Sequence, residues 1–272
     1  FGFRERPFSI TPDPRFLYPN AGHEEAYANL FYGIHERKGF IVLTGEVGTG
    51  KTTLLRKLIE GLENSTRFVL FYNTTLTFEE LLDFTFTELG LEAPPGGRLQ
   101  KIQALNRFLI NELMQGGTVA LLIDEAQNLS DEVLENLRLL SNLETAQEKL
   151  LQIVLVGQPE LDAKLAQPHL RQLKQRITTR CHLTKLRDIE VEAFISHRLR
   201  TVGCTDSSLF SPEAVQRITV YCQGIPRLIN VMCDSALLLA YGASQKSVSP
   251  QMIDEVAKDL QLLSQPSRKV AP

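Results

Sequence analysis

Phe40-Ile41-Val42-Leu43-Thr44-Gly45-Glu46-Val47-Gly48-Thr49-Gly50-Lys51-Thr52-Thr53 is the stretch that decides the reading of this chain. Its opening run, Phe40 to Thr44, is apolar and β-prone, as a strand buried on both faces requires. Gly45 to Thr52 then fits G-x-x-x-x-G-K-[ST] in full, and a helix is predicted from Lys51 to about Leu62. A strand that breaks into glycines and resumes as a helix turns backbone N–H groups and the positive helix end toward one point. A nucleotide polyphosphate suits that point. Gly45, Glu46, Val47, Gly48, Thr49, Gly50, Lys51, Thr52 and Thr53 are therefore the expected ATP-binding residues. Lys51 would reach the β- and γ-phosphates, and the Thr52 hydroxyl would ligate Mg²⁺.

The segments on either side repeat the strand–helix alternation. A helix is expected over His23 to Glu36, strands over Arg67 to Tyr72 and Thr118 to Ile123, and a strand over Leu151 to Val156. Helices are expected between them at Phe78 to Leu89, Leu99 to Met114 and Asp131 to Leu143. Short apolar strands separated by helices predict an α/β domain with a parallel, doubly covered sheet. After Cys181 the pattern is helical only: Asp188 to Arg200, Pro212 to Cys222, Arg227 to Tyr241 and Pro250 to Leu263. The expected organisation is an ATPase core over 1–183, a small all-α lid over 184–263 and a flexible tail over 264–272. Residues 1–22 carry Pro7, Pro12, Pro14 and Pro19, which bars helix and central strand and predicts an extended segment.

Four further groups carry chemistry. Val119 to Ile123 runs into Asp124-Glu125, and an apolar strand ending in two acids places both at the carboxyl edge of the sheet. Asp124 is the expected Mg²⁺ ligand and Glu125 the general base toward the attacking water. The strand over Leu151 to Val156 should lie beside that one, bringing Gln158 near the γ-phosphate. Leu170 to Arg180 is read as a basic helix without nearby acids, either a solvated face or an arginine finger offered to a second subunit. Arg176 is the first choice there, with Arg171 and Arg180 the alternatives. In Gly224-Ile225-Pro226-Arg227 a glycine ends one helix and a proline starts the next, so Arg227 sits in a first turn. A cation is unfavourable at a helix N-terminus, which points to an anionic target. Asn73, at the end of a strand, either holds Glu125 inactive until a partner binds or simply makes a turn with Thr74 and Thr75.

The bulk properties narrow the field. With 43% hydrophobic and 22% charged residues among 272, the chain is neither disordered nor fibrous. A net charge of −3 gives no global attraction to nucleic acid or anionic lipid. No apolar stretch approaches the ~20 residues of a membrane span, so no membrane insertion by this chain is expected. It opens on Phe1, without a signal segment, and is expected to be a cytoplasmic piece cut from a longer protein. Cys181, Cys204, Cys222 and Cys233 lack metal-type spacing and read as reduced thiols.

Taken together, these motifs resemble the ATPase part of the ExeA/GspA family, AAA+ proteins associated with bacterial type II secretion. The resemblance rests on Phe1 to Tyr18, His23 to Ala26, Leu43 to Thr53, Ile123 to Gln127, Val156 to Leu161 and Gly224 to Arg227. It implies a P-loop AAA+ core with a helical lid, nucleotide-dependent self-assembly into a ring or filament, and a protein partner at the cell envelope. Gln158 takes the place of the polar sensor, and the segment holding Arg176 faces the next protomer. A DNA-binding, ATP-dependent switch of the transposition-regulator type is the alternative, against which the net acidity weighs.

Overall fold

Five strands form the sheet: β1 (Phe40–Gly45), β2 (Thr66–Phe71), β3 (Thr118–Ile123), β4 (Leu151–Gly157) and β5 (Ile177–Leu183). The computed structural model describes residues 1–62, 65–72, 74–204 and 208–262. All pairings are parallel, in the order β2-β3-β4-β1-β5. Burial explains the order. Every residue of β1 and β4 is buried, and β3 is buried from Val119 on, so these apolar runs fill the centre. The edge strands β2 and β5 keep exposed positions among buried ones.

The chain divides into two compact units. The sheet unit comprises Ala21–Val47 and Leu54–Leu183. It contains α1 (Ala21–His35), α3 (Phe78–Glu88), α4 (Arg98–Met114), α5 (Asp131–Leu140), α6 (Pro159–Leu165) and α7 (Arg171–Arg176), and α2 (Lys51–Gly61) runs into it from the loop after β1. Phe40, Val69, Leu121, Ile153 and Leu155 meet Leu82, Leu105 and Leu137 from the helices in one apolar core. The helical unit gathers Phe1–Asn20, Gly48–Thr53 and the chain from Thr184 onward. It holds α8 (Asp188–Thr201), α9 (Pro212–Cys222), α10 (Pro226–Gly242) and α11 (Pro250–Asp259).

Three sequence expectations change. Leu170 to Arg180 is not one helix. A 3-10 turn over Pro168–Leu170 leads into α7, and β5 begins at Ile177, where the β-branched Ile177-Thr178-Thr179 disfavours helix. The basic segment also has acids: Arg180 pairs with Asp162 at 3.1 Å, and the Glu144 carboxyl, whose pKa is lowered chiefly by its hydrogen bond to Lys149, also feels the charge of Arg176. The first twenty residues group with the helices rather than the sheet. Phe8 is 1% exposed among Phe194, Phe210 and Ile229, because an extended segment can still bury its aromatics. Finally, α5 stops at Leu140 with Ser141 as its C-cap, short of Leu143. All four cysteines are free thiols, and burial pushes Cys222 up to about 12. No helix of the described residues is long and apolar enough to cross a membrane.

Candidate nucleotide site

Because β1, β3 and β4 are parallel neighbours, their carboxyl ends share one edge of the sheet. That edge is where α/β sheets bind ligands. Gly45 ends β1, Ile123 ends β3 and passes to Asp124, and Gly157 ends β4 and passes to Gln158. Sequence alone therefore brought Asp124, Glu125 and Gln158 to the edge at which the glycine loop starts.

Within that loop Glu46 and Val47 are exposed, Thr49 is fully buried, and Thr52 and Thr53 are half-buried. Gly48 and Gly50 take φ of +79° and +102°, a region that side chains disfavour. A Cβ at Gly48 would stand 2.7 Å from the Cβ of Arg227, so a larger residue there would push α10 away. The Gly48 carbonyl in turn accepts from the Arg227 backbone N–H at 3.1 Å, which satisfies one of the donors that every helix start leaves open. Arg227 is thereby fixed to the loop through its backbone, while its guanidinium makes no ion pair among the described residues. Lys51, the first residue of α2, is 6% exposed.

At the end of β3 the geometry is denser. Asp124 is 3% exposed and its Oδ1 accepts from the Glu125 N–H at 2.9 Å. A carboxylate buried at a strand end is costly, and a ligated cation would offset that cost. Glu125 adopts a left-handed backbone, φ 52° and ψ 38°, a conformation that costs about 1–3 kcal/mol outside glycine. The Thr74 hydroxyl donates to its carbonyl at 3.1 Å. Its Oε2 accepts from Gln158 Nε2 at 3.0 Å and from Gln127 Nε2 at 2.6 Å. The strained turn and the two amides fix where this carboxylate stands.

Gln127 is the residue that sequence reasoning passed over. It follows Asp124-Glu125-Ala126 in a 3-10 turn over Ala126–Asn128, from which its amide reaches the Glu125 carboxylate. The signal was the amide two residues beyond the acids. Asn73, the residue expected to restrain Glu125, lies outside the described residues. Arg176 is half-buried and lines a cleft of about 550 Å³ with Arg138, His169 and Arg171.

Residues 34–165 match a family model described as an AAA domain. General secretion pathway protein A from Aeromonas hydrophila is 45% identical over 91% of the chain, which spans 45% of that relative's length. The chain is a GspA-like AAA ATPase. Among solved structures, Cdc6p from Pyrobaculum aerophilum superposes with a TM-score of 0.72, at 19% identity, over 93% of this chain and 70% of its own. Drosophila ORC bound to DNA gives 0.70 at 19% identity over 94% and 64%, and the Thermotoga maritima RuvB branch migration motor gives 0.59 at 15% over 89% and 70%. At such identities these three establish the fold of the ATPase alone.

Proposed function

We propose that this ATPase uses ATP with Mg²⁺ to drive self-assembly, and through it the assembly or remodelling of a bacterial cell-envelope complex of the type II secretion kind. The observation that carries the reading is 45% identity across 91% of the chain to general secretion pathway protein A. The loop N–H groups and Lys51 would cradle the β- and γ-phosphates, and Arg227 would reach the γ-phosphate from the first turn of α10. Thr52 and Asp124 would hold Mg²⁺. The donor set fits: a hydroxyl at a helix start and a buried carboxylate are hard oxygen ligands, which that ion prefers. When bound, Mg²⁺ neutralises charge on the phosphate oxygens.

Glu125 would accept a proton from the water whose oxygen attacks the γ-phosphorus, with Gln158 orienting both. Phosphate and ADP then leave. We assign Arg176 to a second subunit's phosphates, since its cleft also presents Arg171 and His169. The nucleotide-binding residues act from the cytoplasmic side. Specific activity should then rise with protein concentration, and mixing Arg176→Ala with Glu125→Gln should recover some of the activity each lacks. A concentration-independent rate without recovery would leave the site complete in one chain. For the envelope role, the chain is exchanged for the matching segment of the Aeromonas relative, and secretion is assayed. Failure of a folded, ATP-hydrolysing chimera, together with ATP-dependent DNA retention, would favour the nucleic-acid switch instead.

A further inference from the structure

Gln127 uses both ends of its amide. Its Nε2 donates to Glu125 Oε2 at 2.6 Å, and its Oε1 accepts from the Gln158 backbone N–H at 3.1 Å. The fit is close: a Cβ at Gly157 would stand 2.8 Å from that Oε1, so β4 must end in glycine for the amide to lie there. From the other side, the Lys164 ammonium on α6 donates to the Gln127 carbonyl at 3.2 Å and also to the carbonyl of Leu129. The turn carrying Gln127 is therefore held by β4 and by α6. Glu125 Oε1, by contrast, has no hydrogen-bond partner among the described residues.

We infer that Gln127 is a positioning residue for ATP hydrolysis, anchoring Oε2 of Glu125 to the β4–α6 turn so that Oε1 is turned to the water. The inference rests on the proposed role of Glu125 as the base. It requires a side chain that donates and accepts at once, at glutamine's length. Asn is too short, Glu cannot donate when ionised, and neutral His supplies one donor and one acceptor. Small errors in the placement of a catalytic group cost up to ~10²-fold in rate.

The test compares Gln127→Met, which keeps length and volume without the amide, with Gln127→His and Glu125→Gln, all in the intact chain. Gln127→Met should lower kcat about 10–100-fold with KM for ATP unchanged within about twofold. Gln127→His should recover part of kcat at pH 8 and lose it as pH falls through about 6.5, where the imidazolium no longer accepts. Adding Gln127→Met to Glu125→Gln should change nothing further, as expected of residues acting as one unit. Wild-type kcat in Gln127→Met, with Glu125→Gln inactive, overturns the inference and leaves the base intact. Wild-type kcat in Glu125→Gln overturns both. Should Gln127→Met fail to fold, a pH-independent, wild-type rate in Gln127→His would overturn it equally.

Discussion

Polar groups are buried in both units of the molecule, but they are used differently. At the sheet edge, Gln127 and Gln158 converge on the Glu125 carboxylate, whose backbone is strained and whose Oε1 has no hydrogen-bond partner among the described residues. In the helical unit, Arg198 is 6% exposed and its donors are spent on structure. It donates to the carbonyls of Pro7 at 2.6 Å and Ser9 at 2.9 Å, and lies 4.6 Å from the Phe16 ring centroid and 5.8 Å from that of Phe194. One network, on the proposed function, holds a group ready for a reactant. The other ties the first residues of the chain to α8. Backbone strain at the carboxylate separates the first cluster from the second, whose bonds join distant segments of the chain.

The contrast is sharpest under substitution. Arg198→Met keeps an aliphatic stem but leaves the Pro7 and Ser9 carbonyls without their donor. A loss of about 3 kcal/mol in urea unfolding is expected, from stranded acceptors and lost ring contacts. Nucleotide affinity should be unchanged where the variant is folded. An unchanged midpoint would mean that Phe8 and Phe16 alone hold the segment. Lys51→Ala should behave in the opposite way. Fluorescent-nucleotide titration should show affinity weakened at least about tenfold, ~1.4 kcal/mol. Wild-type affinity would remove Lys51 from the phosphate contacts.

The smallest effect concerns His197, beside Arg198 and 5.9 Å from the Tyr18 ring. Burial holds its pKa below the ordinary 6.5, and the charges of Arg198 and Arg200 add to that. The folded form thus favours neutral imidazole, and the unfolded chain takes up the proton first as pH falls below 6.5. The stability it contributes is full above that pH and is lost as pH falls through the folded value. Urea midpoints from pH 7.5 to 5 should decline, and His197→Phe should flatten that decline. Identical slopes would show that the ring titrates freely.

Much of this was legible because the central strands obey one rule. Phe40 to Leu43 and Val119 to Ile123 are apolar throughout, Leu151 to Val156 is broken only by the buried Gln152, and a parallel sheet covered on both faces buries such runs. Once those strands were placed, the motif residues at their ends followed. β5 was missed because an edge strand keeps polar residues: Thr178, Arg180 and His182 are exposed, and after Arg171 to Arg176 they mimic a basic helix. The site of Phe8 was not legible either, since its partners lie nearly two hundred residues away and no local pattern encodes them. Gln127 escaped because a 3-10 turn of three residues, too short to show a sequence period, sets where its amide goes.

Glu125→Gln is the most direct test of the catalytic assignment. The substitution keeps shape and removes the base, so ATP should bind with wild-type affinity while phosphate release slows about 10²–10⁴-fold. Binding and phosphate release measured on one preparation separate the two steps. Wild-type phosphate release would contradict the assignment and leave Glu125 as the strained residue of a turn.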